Sequence, residues 1–177
     1  MILREAQQLI LRYGYQKVTM TDIANACQIS RTTLYKSFPN KESIIIGLIN
    51  ESLEVNIKES EKLLLQNGTL KEKLLSFFDI WTIRPAASVI EFEAGRDILM
   101  NVSNYAPKAV EHHYKIFENM LTRLLENEVK VIKCTSSEDL AHILMIASKG
   151  LKSSSGNIDG LKRKIGSLTS IVVAAIG

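Results

Sequence analysis

Cysteine is almost absent from this chain. Cys27 and Cys134 are its only two, and they lie too far apart for a metal-ligand spacing or a disulfide framework. Three prolines and nine glycines in 177 residues exclude collagen-like and low-complexity classes. The longest wholly apolar run is Ile171 to Ile176, far below the roughly 20 residues that cross a bilayer. The N-terminus turns charged at Arg4 and Glu5, too soon for a signal peptide. These absences predict a cytoplasmic protein with reduced thiols and no membrane partner. What is present, 46% apolar and 23% charged residues, suffices for one folded body with a real core.

Excess charge is also scarce, at +3 overall, but it is unevenly placed. Residues 1 to 47 carry six basic side chains (Arg4, Arg12, Lys17, Arg31, Lys36, Lys41) against three acidic ones (Glu5, Asp22, Glu42). Residues 48 to 177 carry 16 of each sign. One end is therefore suited to meet a polyanion while the rest does something else.

The periodicity is helical throughout, and nothing alternates as a strand does. Ala6, Leu9, Ile10 and Tyr13 make one helical face that Gly14 closes. Thr19 with Asp22 caps a short second helix carrying Ile23, Ala24 and Cys27. Ser30 caps a third, with Leu34 and Phe38 on its apolar side and Pro39 as its stop. Asn40 opens a long fourth helix that ends near Asn67 and Gly68. Thr69 with Glu72, Ser88 with Glu91 and Ser136 with Asp139 have capping-box spacing, and Pro85 and Pro107 fall at expected breaks. The polar stretch Ser153 to Gly156 separates the last two helices. About nine helices are expected, in an all-α fold.

Two short helices joined by a tight turn, the second polar at its start, form a helix-turn-helix pattern. Leu34 and Phe38 must face inward, which turns Arg31, Thr32, Tyr35 and Lys36 outward, as groove entry requires. Arginine can donate two hydrogen bonds to a guanine edge and threonine can meet a base edge or the thymine methyl, while lysine and tyrosine can hold phosphates. Lys41 adds charge in the first turn of the fourth helix, where free backbone N–H groups favour phosphate. A three-helix subdomain with a solvated basic face is the plainer alternative.

The residues Gly14-Tyr15, Thr19, Asp22-Ile23-Ala24, Ile29-Ser30, Thr33-Leu34-Tyr35, Phe38 and Lys41-Glu42 stand in an order that resembles the N-terminal domain of TetR/AcrR-type transcriptional regulators. The resemblance covers about 45 residues. It implies a DNA-binding domain over 1–47 and a helical effector-binding and dimerisation domain over 48–177. It also implies a homodimer, released from a palindromic double-stranded operator by a small molecule. By position it implies that Thr19 and Thr21 touch the DNA backbone, that Arg31, Thr32, Thr33, Tyr35 and Lys36 form the recognition surface, and that Lys41 clamps a phosphate. Ser37 stands where an aromatic is common in the family, so the backbone contact expected there is weaker. Gln28 stands where the family's turn has glycine; a left-handed residue there costs roughly 1 to 2 kcal/mol. The chain also starts at the first helix, without the basic arm many members carry.

In the last two helices Leu140, Leu144, Ala147 and Leu151, then Leu161, Ile165, Leu168 and Val172, repeat at spacings of 4, 3 and 4. This coiled-coil-like seam is expected to form a four-helix dimer interface, with intrachain core as the alternative. Large flexible and aromatic side chains gather between the two ends. Phe77, Trp81, Phe92, Phe117 and Met120 are expected to wall an effector pocket for an apolar or aromatic compound, with Arg96 or His113 orienting a polar group. No Gly-rich phosphate loop, nucleophile elbow or His-x-x-x-His pattern occurs, so no catalysis, metal or cofactor is expected. The reading from another class is a helical adaptor that binds proteins without effector-controlled DNA binding.

Overall fold

The computed structural model describes residues 1–126 and 135–176, and within them every regular element is helical. Cys134 lies outside the described residues. The segments are α1 (Ile2–Tyr13), α2 (Met20–Ala26), α3 (Arg31–Ser37), α4 (Lys41–Leu64), α5 (Leu70–Phe78), a π turn (Asp79–Ile83), α6 (Arg84–Ala87), α7 (Glu93–Tyr105), α8 (Pro107–Leu125), α9 (Ser137–Ser154) and α10 (Ile158–Ile176). Since α5, the π turn and α6 run on without a break, the described residues form nine rods.

Local chemistry sets most boundaries. Thr19 Oγ1 accepts from the Asp22 backbone N–H while Asp22 accepts from that of Thr19, a reciprocal cap that starts α2. Asn40 with Ser43 and Thr69 with Glu72 do the same for α4 and α5, and Ser136 caps α9. Gly14 ends α1 at φ 89°, a left-handed conformation open to glycine at no steric cost.

Three expectations fail. Tyr13 does not belong to the buried face of α1: the helix ends there, its ring is exposed beside the Arg12 guanidinium, and Tyr15 and Val18 beyond the glycine turn fill the core instead. Ser88 and Glu91 form no capping box. The Ser88 hydroxyl donates to Pro85 O, closing the preceding turn, Glu91 reaches the Ile158 N–H at 3.4 Å, and α7 starts only at Glu93. Nor does Pro85 break its helix, because the π turn just before it relaxes the hydrogen-bonding ladder that the ring would otherwise clash with.

Two apolar cores result. The first joins Ala6, Ile10, Tyr15, Val18, Ile23, Ala24, Cys27 and Leu34 with Ile44 and Ile45 of α4, and takes in Ala106 from the α7–α8 junction. The second begins at Leu53 and gathers α5, the π turn, α8, α9 and α10 around Phe77, Phe78, Trp81 and Phe117. α4 runs through both, and α1 also packs on α7. Gly95 of α7 is a point of close approach to the segment after α6, since a Cβ there would clash with the Val89 carbonyl.

Candidate functional site

α3 is short and is placed from both sides. The Ser30 hydroxyl accepts from the Thr33 N–H at 3.0 Å, and fully buried Leu34 with half-buried Phe38 anchors the inner face. The turn before it is sharp: Gln28 has φ 54°, the left-handed conformation that the sequence comparison made it face without being glycine. On the outer side Arg31, Thr32, Tyr35 and Lys36 are exposed and line one shallow hollow, so their guanidinium, hydroxyl, phenol and ammonium groups converge on a common surface. Ser37 is exposed at the end of the same helix.

Several neighbouring groups already have partners inside the chain. Thr33 Oγ1 lies 2.8 Å from Ser30 Oγ, so its hydroxyl belongs to the cap. Thr19 is engaged with Asp22, whose carboxyl is held below its usual range by those hydrogen bonds, and Thr21 is half-buried. Lys41 departs furthest from its expected position. Its ammonium donates to Tyr15 O at 2.6 Å and sits 4.4 Å over the Tyr15 ring, where burial depresses its pKa. In this conformation it ties the 14–18 loop to the start of α4 instead of presenting a free charge to phosphate. Tyr15 in turn stacks on Tyr105 of α7 at 4.0 Å, and burial, helped by the Glu42 charge, pushes its phenol up to about 12. This Lys41–Tyr15–Tyr105 chain links the start of α4 and the 14–18 loop to α7 at the edge of the first core, and nothing local in the sequence announces it.

Residues 2–48 match the family model of bacterial regulatory proteins of the tetR family. The chain carries a TetR-family domain. The fatty acid metabolism regulator protein of Bacillus subtilis (strain 168) is 33% identical over 73 residues, which are 41% of this chain and 38% of that protein. The chain thus spans well under half of that curated relative. The fold extends further than the sequence likeness. FadR from Bacillus subtilis, solved in complex with stearoyl-CoA, superposes with a TM-score of 0.77 at 18% identity, covering 99% of this chain and 98% of that one. A transcriptional regulator from Saccharomonospora viridis in complex with choline gives 0.73 at 18%, covering 96% and 93%.

Beyond the TetR-family domain, the expected pocket walls are displaced. Phe77, Trp81 and Phe117 pack edge-on and stacked at 5.2–5.9 Å as filled core, with the Trp81 indole N–H donating to Ser60 Oγ at 2.6 Å. Met120 is buried in the same core. Phe92 is 50% exposed at the head of α7, and Arg96 is exposed with only a 3.5 Å contact to Gly156 O. Phe92 borders an open hollow beside Tyr13 and Tyr15, and of the expected residues His113 alone borders the cavity that is walled mostly by apolar side chains. That cavity lies between the two cores, about 220 Å³ in volume, walled by Ile10, Leu11, Leu48, Ile49, Val89, Val102 and their neighbours, with Gln7, Ser52, Ser88, Tyr114 and Lys152 at its polar margins.

The proposed seam is corrected as well. Leu144, Leu161, Ile165 and Val172 are buried within the single chain, and Leu140, Leu151 and Leu168 pack against the same core; Ala147 is half-buried. A 4-3-4 spacing marks a face that packs on something, and here it packs on the chain's own α5 and α8. The exposed apolar residues lie one position away: Ile143 at 58%, Ile146 at 53% and Ile171 at 68%. No helix of the described residues is long and apolar enough to cross a membrane.

Proposed function

We propose that the protein is a DNA-binding transcriptional regulator, acting as a homodimeric repressor that a small-molecule effector releases from a palindromic operator. The single observation that carries this reading is the convergence of Arg31, Thr32, Tyr35 and Lys36 on the outer face of a capped, left-handed-turn-anchored α3, in a segment that matches the TetR model. Arg31 and Thr32, in the first turn, reach base edges; Tyr35, Lys36 and Ser37 flank the phosphates, with Thr19 and Thr21 at the start of α2 beside them. The DNA-binding unit is assigned to 1–47, and effector binding and dimerisation to 48–177. The operator sets the compartment as the cytoplasm.

Support for effector control comes from relatives solved with stearoyl-CoA and choline, and from a cavity that lies where the two cores meet. A second copy of the chain, rather than an unrelated protein, is assigned to the exposed face of Ile143, Ile146 and Ile171, in keeping with the homodimeric family. Selecting bound fragments from random duplex DNA tests the reading. An imperfect palindrome in which Arg31→Ala relaxes selection at one position of each half-site supports it; salt-insensitive binding without sequence preference overturns it.

A further inference from the structure

We propose that the cavity between the two cores binds a compact, mostly apolar carboxylic acid, seated with its carboxylate on His113 and Lys152 and its apolar body against α1 and α4. The inference rests on the effector reading above and specifies the ligand and its seat. It also moves that seat from the second core, where the sequence placed it, to the junction with the DNA-binding helices.

The walls argue first. Ile10 and Leu11 of α1 and Ile45, Leu48 and Ile49 of α4 form one side; Val89, Ile98, Leu99, Val102 and Val110 form the other. Such a surface takes an apolar body, with polar groups only at its margins. At about 220 Å³ the space is below the roughly 300–1,000 Å³ of pockets that enclose drug-sized ligands. A long acyl chain bearing coenzyme A, as seen in the FadR relative, is too large for it.

The polar end argues next. His113 Nδ1 is buried and has no hydrogen-bond partner in the chain. Burial, together with the positive charge of Lys152, lowers the His113 pKa to about 4, so the ring is neutral at pH 7. A neutral imidazole has one donor and one acceptor nitrogen, and leaving a buried one without a partner is costly. A ligand oxygen accepting from Nδ1–H would remove that cost. Lys152 borders the same space, its ammonium 5.9 Å from the Tyr114 ring. One oxygen on His113 and a negative charge toward Lys152 describe a carboxylate better than an alcohol, an amine or choline.

The location supplies the consequence. A molecule in this space touches α1 and α4, which hold the first core, and α7 and α8 at once. Occupancy therefore bears directly on how α1 and α4 pack against α7 and α8, without relay through Phe77 or Trp81.

The test needs no operator, so its failure is distinct from failure of the DNA-binding reading. The whole protein is titrated with benzoate, phenylacetate and hexanoate, each against its matching alcohol, by calorimetry, with thermal shift as a second readout. The acids should bind at or below about 1 mM and about tenfold more tightly than the alcohols. Lys152→Met should erase that preference while leaving the alcohols unchanged. Leu48→Trp should fill the cavity and abolish both, with helix content and melting temperature retained. Should Leu48→Trp unfold the chain, the less intrusive Val102→Leu should still weaken every acid. Absence of acid binding at 10 mM, roughly ten times the expected constant, overturns the proposal, as does a preference for acids that survives Lys152→Met, or tight binding of stearoyl-CoA that Leu48→Trp does not disturb.

Discussion

At the scale of single residues, Arg31 and Lys36 are predicted to behave differently. Losing a base-reading side chain costs about 1–3 kcal/mol and relaxes one position, whereas losing a phosphate contact weakens all sequences alike and flattens the salt slope by about one. Arg31→Ala should do the first and Lys36→Ala the second, both measured by titration of a selected operator at several salt concentrations. Gln28→Gly should raise stability by about 0.5–1 kcal/mol, because relief of the left-handed side chain exceeds the added freedom of glycine in the unfolded chain; a melting curve checks it. His113 brings a pH dependence. Its folded-state pKa of about 4 lies below the unfolded value of 6.5, so the unfolded chain holds more protons at acid pH. Stability should be full above pH 6.5 and fall by about 3 kcal/mol between there and pH 4. His113→Phe should flatten that window in denaturant titrations, leaving only the carboxylate-driven loss below it. The exposed face of α3 was legible at this scale because helical phase and the Ser30 cap are local. Lys41's internal bond was not, since Tyr15 O is brought to it by tertiary packing.

At the scale of elements, the Lys41–Tyr15–Tyr105 contact makes a separable prediction. Lys41→Met should destabilise the fold by about 1–3 kcal/mol through the lost charged hydrogen bond, yet leave the salt slope of operator binding unchanged. A flattened slope would return Lys41 to the phosphates. The caps at Thr19, Asn40 and Thr69 could be read from sequence because donor and acceptor are three residues apart. Ser88 and Glu91 share that spacing and still do something else, since Glu91 reaches a residue on α10. Periodicity likewise finds that α9 and α10 each bury a face. It does not say whether the face meets its own chain.

At the scale of the whole molecule, that ambiguity becomes an experiment on assembly. Val172 is buried in its own protomer, so Val172→Asp should lower the stability of each chain instead of separating two. The pair Ile143→Asp and Ile171→Asp, placed on the exposed face, should leave a folded monomer by light scattering; a dimer that persists would put the interface elsewhere. In the dimer the two α3 helices should stand one helical turn of duplex apart, roughly 34–36 Å, which the half-site spacing of the selected operator reports.

The π turn at Asp79–Ile83 carries a consequence for how this rod tolerates changes of length. A π turn is an α-helix that has absorbed one surplus residue, and each residue of an α-helix advances the rotation by about 100°. Because the widened turn takes up that residue, deleting Thr82 should restore regular α geometry and leave Pro85 and Val89 in phase with the rest of the cavity wall. The cost should fall on Pro85, whose ring would again face the carbonyl of a regular ladder. A deletion within α4 has no surplus turn to draw on and should swing everything beyond it by about 100°. The π turn should therefore accept the loss of one residue more readily than α4 does.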